Sequence, residues 1–342
     1  MVKKVAIVSL SRGILGESYV QHEYDIGMKR LKALGLEVKI MDSALKGVDY
    51  VQMHPEERAK DLINAFHDDS IDMILCAIGG DDTYRLLPYL FAHDELKKAV
   101  KEKIFLGFSD STINHFMLHK VGLKTFYGQA FLPDVAELDT EMLPYSKFYF
   151  ERLLKNGKIE EIVPSKIWYG ERTNFDPSQI GVPRVSYANS GFELLQGEGV
   201  FTGKILGGCI DTIYDIFNSE RYEDTVVLCE RYNIFPSTEE WGGRILLIET
   251  SEERPTPDKY EKMLMAIKET GIFNVVNGVL VGRPIDETYY ESYKEILIKV
   301  IDNPNLSILY NINVGHATPR CIIPFGVEAK VDSYNQKITF HY

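Results

Sequence analysis

Three residues put reactive side chains where a chain could hold them for chemistry: Ser109, Glu249 and His316. Ser109 lies in Ile104-Phe-Leu-Gly-Phe-Ser-Asp-Ser-Thr112, where an apolar strand gives way to a helix. A nucleophile on such a turn is exposed, and the helix N-terminus beneath it offers unpaired N–H groups to a developing oxyanion. This is the logic of a nucleophile elbow, although Ser111 stands where the GxSxG pattern has its second glycine. Taken alone, the fragment reads more simply as a helix cap at Ser109 or Asp110.

A serine nucleophile needs a base, and the base needs an acid to orient it. His316 follows the strand candidate Ser307–Ile312 on the glycine-containing turn Asn313-Val-Gly-His-Ala317, a position that suits a working side chain. The other seven of the eight histidines offer less. His22, His54, His67 and His93 lie in polar helical or loop contexts, and His341 is next to the C-terminus. His115 and His119 have the i, i+4 spacing of a metal pair but no HExxH-type partner, so packing is the better reading. Glu249 ends the apolar strand Arg244-Ile-Leu-Leu-Ile-Glu-Thr250. A carboxylate there is costly unless paired, and a histidine would pair it. The other reading, that Glu249 opens the polar loop to Arg254, stays open.

A further turn, Ala77-Ile-Gly-Gly-Asp-Asp-Thr-Tyr84, follows a buried-type strand. Its glycines would let backbone N–H groups approach a ligand or a transition state. It resembles the GGDGT phosphate loop of phosphofructokinases and NAD kinases, but Asp82 stands where a glycine would leave room for phosphate. The alternatives are a donor to an oxyanion hole or a plain tight turn. A kinase reading also lacks a Walker-type lysine motif and leaves Ser109, Glu249 and His316 without a role. A non-catalytic α/β binding protein on the same scaffold would bind a ligand without turnover.

The elements that must position these residues alternate. Strand candidates Lys4–Leu10, Glu37–Met41, Ile71–Ile78 and Ile104–Phe108 are interleaved with helical stretches Glu17–Leu34, Pro55–His67, Thr83–Phe91 and Asp110–Val121. That order predicts a parallel sheet flanked by helices. The stretch from about Asp134 to Val200 holds Pro144, Pro164, Pro177 and Pro183 and reads as irregular after a helix near Glu141–Leu154. Regular structure resumes with a strand Arg244–Ile248, a helix Pro257–Thr270, a strand Gly278–Val281, a helix Tyr289–Ile301 and the strand Ser307–Ile312. A closing hairpin of Gly326–Val331 and Lys337–His341 follows. Two domains are expected, 1–165 carrying the nucleophile and 166–342 carrying the acid and the base.

Composition narrows the function classes. With 342 residues, 45% hydrophobic and 26% charged, the chain can bury a sizeable core. The net charge of −12 argues against binding a nucleic acid polymer, though not against a small anion in a local pocket. The four cysteines share no CxxC spacing and read as buried thiols in a reducing compartment. The N-terminal apolar run Val5–Leu10 is shorter than a secretory h-region, and no stretch reaches the length of a membrane span. The expected location is the cytoplasm.

In order along the chain, these fragments resemble one family, the LD-carboxypeptidase-like serine peptidases, and within it the branch containing the microcin C immunity proteins. The likeness spans nearly the whole chain. Ile78-Gly79-Gly80 resembles the family's strand-glycine-glycine turn, and Gly107-Phe-Ser-Asp-Ser-Thr112 its nucleophile turn G-[YF]-S-D-x-T. Gly122-Leu-Lys-Thr-Phe-Tyr-Gly128 is similar to TGxxTFYGP, with Gln129 in place of proline, and Leu206-Gly-Gly-Cys209 to LGGN, with Cys209 in place of asparagine. Gly243–Thr250, Gly278–Gly282 and Val314-Gly-His316 complete the series.

The resemblance implies an N-terminal Rossmann-like or flavodoxin-like α/β domain and a smaller strand-rich C-terminal α/β domain, with the site between them. It implies Ser109 as nucleophile, His316 as base, Glu249 as orienting acid, and the backbone N–H groups of Gly80 and Asp110 as oxyanion hole. It further implies a homodimer without metal or cofactor. The wider family trims murein tetrapeptides; the immunity branch cleaves an amide joining a peptide or amino acid to a nucleotide-like moiety. The latter is the expected substrate and the former the alternative. In that branch aromatic residues before the LGG motif help hold the nucleobase. Here that region offers Trp168, Tyr169, Phe175, Tyr187 and Phe192, of which Trp168 and Phe175 are taken as substrate-binding candidates with Gly79 and Asp81. Stacking on a base and packing of the domain junction are both open to these aromatics.

Overall fold

The computed structural model describes residues 1–342. The alternation expected of the first third folds into a six-stranded sheet. Its order is Ile323–Phe325, Thr125–Tyr127, Ile104–Gly107, Met73–Cys76, Lys4–Val8, Glu37–Ile40. The five strands from the N-terminal part run parallel, and Ile323–Phe325 joins the edge antiparallel. The parallel five have the order 2-1-3-4-5, that of a flavodoxin-like doubly wound sheet. Ligands of such sheets sit beyond the carboxyl ends of the strands, where Ser11, Gly79 and Ser109 lie on successive turns.

The second sheet has eight strands. Its centre is the parallel set Val200–Cys209, Ile245–Glu249, Gly278–Gly282 and Ser307–Ile312. Antiparallel strands flank it: Glu328–Asp332, Lys337–His341 and Glu161–Ile162 on one side, Glu193–Gln196 on the other. The two sheets exchange strands. Glu161–Ile162 belongs to the second, while Ile323–Phe325, late in the chain, belongs to the first. One continuous cluster of buried apolar residues runs through both. All four cysteines are buried and free, and no helix is long and apolar enough to cross a membrane.

Several expectations need correcting. The stretch read as irregular holds the short strands Glu161–Ile162, Ile167–Tyr169, Ser186–Ala188 and Glu193–Gln196, and the helix expected over Thr83–Phe91 is a 3-10 turn, Thr83–Leu86, followed by a short α-helix, Leu87–Phe91. The strand Val200–Cys209, central to the second sheet, was not expected. Gly203, Gly207 and Gly208 interrupt its apolar pattern, and glycine is an unfavourable strand residue. The helix expected over Glu17–Leu34 is an α-helix only over Gln21–Ala33, preceded by 3-10 turns at Ile14–Gly16 and Ser18–Val20. The helix Pro55–His67 has the expected bounds, with Pro55 in its first turn and Ala59, Leu62, Ala65 and Phe66 buried.

That helix also carries a cation into the core. Arg58 is fully buried, 2.6 Å from Asp82, and donates to the carbonyls of Leu10 (3.1 Å) and Ser11 (3.2 Å). One side chain thus ties the turn after the first strand to the turn after the third. Arg58→Met leaves the buried Asp82 carboxylate with only the more distant Arg85, 4.0 Å away, and an expected loss of about 3–5 kcal/mol in denaturant unfolding. Adding Asp82→Asn should restore part of it, because the stranded charge is then gone.

Candidate active site

Ser109 sits on the turn between the strand Ile104–Gly107 and the helix Ser111–Lys120, with a φ of +65°. A non-glycine residue in that region is sterically disfavoured and is held there by its surroundings. Ser109 does not serve as a side-chain cap, nor does Asp110: the helix has none. The Asp110 carboxylate instead accepts from the Ser11 hydroxyl (2.6 Å) and the Thr83 N–H (2.9 Å). Burial lifts its pKa to about 7, with those two hydrogen bonds pulling the other way. Asp110 therefore braces the Gly79–Thr83 turn against the Ser109 turn. Gly79 is in contact with Ser109: a Cβ built on it would lie 2.6 Å from the serine Cβ and 2.7 Å from Oγ. The backbone N–H groups of Gly80 and Asp110 donate to no acceptor in the protein.

The second sheet supplies the partners. Glu249 is the last residue of Ile245–Glu249, and His316 follows Ser307–Ile312. His316 Nε2 is 3.0 Å from Ser109 Oγ, and its Nδ1 is 2.8 Å from Glu249 Oε2. The His316 backbone N–H also donates to Glu249 (3.1 Å). Gly315, at φ +86°, lies so close to the Glu249 carboxylate that any Cβ would collide with it. Glu249 is 1% exposed, and its other oxygen accepts from the Tyr127 hydroxyl at 2.6 Å. That hydroxyl accepts the Ser109 N–H at 3.2 Å. The result is a closed ring of hydrogen bonds, Ser109 to His316 to Glu249 to Tyr127 and back to Ser109.

His316 is further held by Arg320, which donates to the carbonyls of Gly315 and His316 (2.7 Å for the latter) and pairs with Asp134 at 3.1 Å. The Phe108 ring meets the imidazole edge-on at 5.1 Å. Burial pulls the imidazole pKa down, but Glu249 and a second carboxylate, Glu252, more than reverse this and lift it to about 10. Cys209 Sγ lies within 4.8 Å of the ligand atoms of Glu249 and His316. Its thiol is held well above the usual range, first by burial and then by the neighbouring Glu249.

Ser109 and His316 open onto a cavity of about 930 Å³, also lined by Gly79, Gly80, Arg12 and Glu252, and by Tyr19, His22, Glu23 and Phe175. His22 Nε2 donates to the Phe175 carbonyl at 2.9 Å. Glu23 is buried, and that burial raises its carboxyl to about 7. Of the substrate-binding candidates, Gly79 and Phe175 line the cavity and two do not. Asp81 turns away to the Tyr222 hydroxyl (3.1 Å) and Arg221. Trp168 is buried, stacked on Tyr187 at 4.4 Å and covered by the Arg283 guanidinium at 4.4 Å. A phosphate loop over Gly79–Thr83 is also at odds with the structure, since the buried Asp82 side chain fills that turn, paired with Arg58. Sequence reasoning missed Arg12, Glu23, Tyr127 and Glu252. Arg12 and Glu252 could have been found as polar residues just past the carboxyl ends of two predicted strands.

Comparison with known proteins agrees in extent with this architecture. Residues 5–128 match the model of the LD-carboxypeptidase N-terminal domain, and 202–331 that of the LD-carboxypeptidase C-terminal domain. The microcin C7 self-immunity protein MccF of Escherichia coli is 26% identical over 289 residues, 83% of this chain and 78% of that protein. An MccF-like protein of Streptococcus pneumoniae, solved in complex with AMP, is 60% identical with a TM-score of 0.99, covering 100% of this chain and 99% of that one. MccF solved with aspartyl sulfamoyl adenosine is 22% identical, covers 100% of this chain and 96% of its own, and shares the fold with a TM-score of 0.78.

Tyr127→Phe removes one donor to Glu249 and the acceptor of the Ser109 N–H. The expected loss of stability is about 1–3 kcal/mol by chemical denaturation, the range for leaving buried polar groups unsatisfied.

Proposed function

Because this chain belongs to the LD-carboxypeptidase family of serine peptidases, we propose that Ser109, His316 and Glu249 are its catalytic triad. We propose further that it hydrolyses the amide joining an aminoacyl or peptidyl group to a nucleotide-like moiety. The observation that carries the reading is the hydrogen-bonded chain from Ser109 Oγ through His316 to Glu249, at 3.0 and 2.8 Å. In this reading Ser109 Oγ attacks the carbonyl carbon while His316 Nε2 takes its proton. Glu249 holds the Nδ1 proton, fixes the tautomer and balances the imidazolium. The tetrahedral oxyanion takes the free N–H groups of Gly80 and Asp110. His316 then passes its proton to the leaving nitrogen, and a water activated by the same imidazole releases the acyl group from Ser109.

The substrate class rests on the cavity and the relatives. Its volume of about 930 Å³ suits an aminoacyl nucleotide. Phe175 offers a ring for a nucleobase to stack on. Arg12 is an exposed guanidinium with no carboxylate partner in the protein, available to a phosphate or sulfamate. AMP in the Streptococcus pneumoniae relative and aspartyl sulfamoyl adenosine in MccF are ligands of the same chemistry. The same reading has the enzyme act as a homodimer in the cytoplasm, where four free thiols stay reduced.

The test sets an aminoacyl sulfamoyl adenosine beside a murein tetrapeptide, with wild type and Ser109→Ala. Cleavage of the adenylate analogue alone, abolished in the variant, is the expected result. Cleavage of the tetrapeptide alone makes the enzyme a cell-wall carboxypeptidase, and full activity in Ser109→Ala removes Ser109 from the mechanism. Binding without turnover in the wild type would make the chain a binding protein. Phe175→Ala should weaken nucleotide binding by about 1–3 kcal/mol, read as a raised KM with kcat little changed.

A further inference from the structure

Glu252 stands in the loop after the strand Ile245–Glu249 and lines the cavity beside Ser109 and His316. Its Oε2 lies 3.1 Å from His316 Nε2, the nitrogen that is also 3.0 Å from Ser109 Oγ. An ionised carboxylate only accepts hydrogen bonds. Glu249 accepts from Nδ1, while Glu252 makes an ion-pair contact at Nε2, whose hydrogen bond is to Ser109 Oγ. A carboxylate oxygen 3.1 Å from a bare Nε2 lone pair would be repelled, so two flanking carboxylates favour the imidazolium. In that state Nε2 has no lone pair with which to take the serine proton.

The groups facing His316 differ in their freedom. Glu249 is buried and accepts from Tyr127 and the His316 N–H. Asp211, from the helix Ile210–Asp215, is occupied by the Ser251 N–H at 2.9 Å, and Arg320 is spent on two carbonyls and Asp134. The Glu252 side chain is 72% exposed and makes its only ion pair with His316; Arg221 acts on it at longer range but is itself paired with Asp215 (3.1 Å) and Glu253 (2.8 Å). Glu252 can therefore be drawn off by another cation entering the cavity. In an aminoacyl substrate the α-ammonium is one carbon from the scissile carbonyl. Once that carbonyl reaches Ser109, the ammonium is the nearest competitor for the carboxylate.

We propose that Glu252 is a specificity-determining latch on His316, released by a free ammonium on the acyl side of the substrate. The carboxylate passes from imidazolium to ammonium, the Nε2 proton leaves to water, and His316 becomes a base only with such a substrate bound. The inference rests on the triad and substrate reading above, and its tests separate the two.

The first test needs no amide substrate. The rate at which a fluorophosphonate probe labels Ser109 is followed against pH in wild type, Glu252→Gln and Glu252→Asp. Losing the carboxylate lowers the imidazole pKa, so the acid limb of Glu252→Gln should move to lower pH by about 1–3 units. Labelling near neutral pH should rise roughly tenfold or more, with Glu252→Asp closer to wild type. Superimposable profiles overturn the latch.

The second test compares an aminoacyl sulfamoyl adenosine with its N-acetylated form. Wild type should favour the free amine by about tenfold or more in kcat/KM, and Glu252→Gln should close the gap by gaining on the acetylated substrate. Equal rates in wild type, or a gap that survives in the variant, overturn the proposal. A wild type that cleaves neither compound defeats the substrate reading alone, and the labelling profiles then decide the latch.

Discussion

A carboxylate taken out of water must be paid for by its neighbours, and Glu249 is where this structure concentrates that requirement. At 1% exposure it accepts from His316 twice and from Tyr127 once. The donors come from different sheets, Tyr127 from the first and His316 from the second. Because Ser109 bonds to both donors, satisfying one buried charge also fixes the serine against the imidazole. The cost of an unpaired buried carboxylate favours the placement of the two sheets that brings Glu249 these partners.

The topology makes such a meeting natural. In the flavodoxin-like sheet the turns at the carboxyl ends of the parallel strands carry Ser11, Gly79, Ser109 and Gly128. In the second sheet the parallel strands end at Cys209 and Glu249, registered opposite each other, and one strand runs on to the His316 turn. The site lies where the carboxyl ends of both parallel sets converge. The exchanged strand Ile323–Phe325 helps hold that placement, since it follows the His316 turn and pairs with Thr125–Tyr127, the strand that carries Tyr127.

Ser109, Glu249 and His316 could be picked out in the sequence because each follows an apolar strand, where a polar residue is conspicuous. Tyr127 could not, since its partner is 122 residues away and an aromatic at the end of a strand looks like core. Trp168 misled for the converse reason. An indole is an attractive platform for a base, but its faces here are taken by Tyr187 and Arg283, contacts made across the chain. The strand Val200–Cys209 was obscured by glycines whose purpose is close packing with elements elsewhere in the fold. Local pattern located the reactive groups; the support for them is long-range and was not legible.

The residues at the two departures from the branch pattern, Gln129 and Cys209, both lie beside that support. Proline at position 129 would offer stiffness and no donor. Gln129 is fully buried and donates to the carbonyls of Ser146 and Arg320, both at 2.9 Å. Arg320 in turn grips the carbonyls of Gly315 and His316, so the glutamine acts on the imidazole through one intermediate residue. At position 209 an asparagine amide would compete for hydrogen bonds beside Glu249. Cys209 offers only a weak S–H, directed 3.7 Å to Asp211, and burial keeps it from becoming a second anion. Both replacements leave Glu249 with His316 and Tyr127 as its partners, which is the condition the site cannot do without.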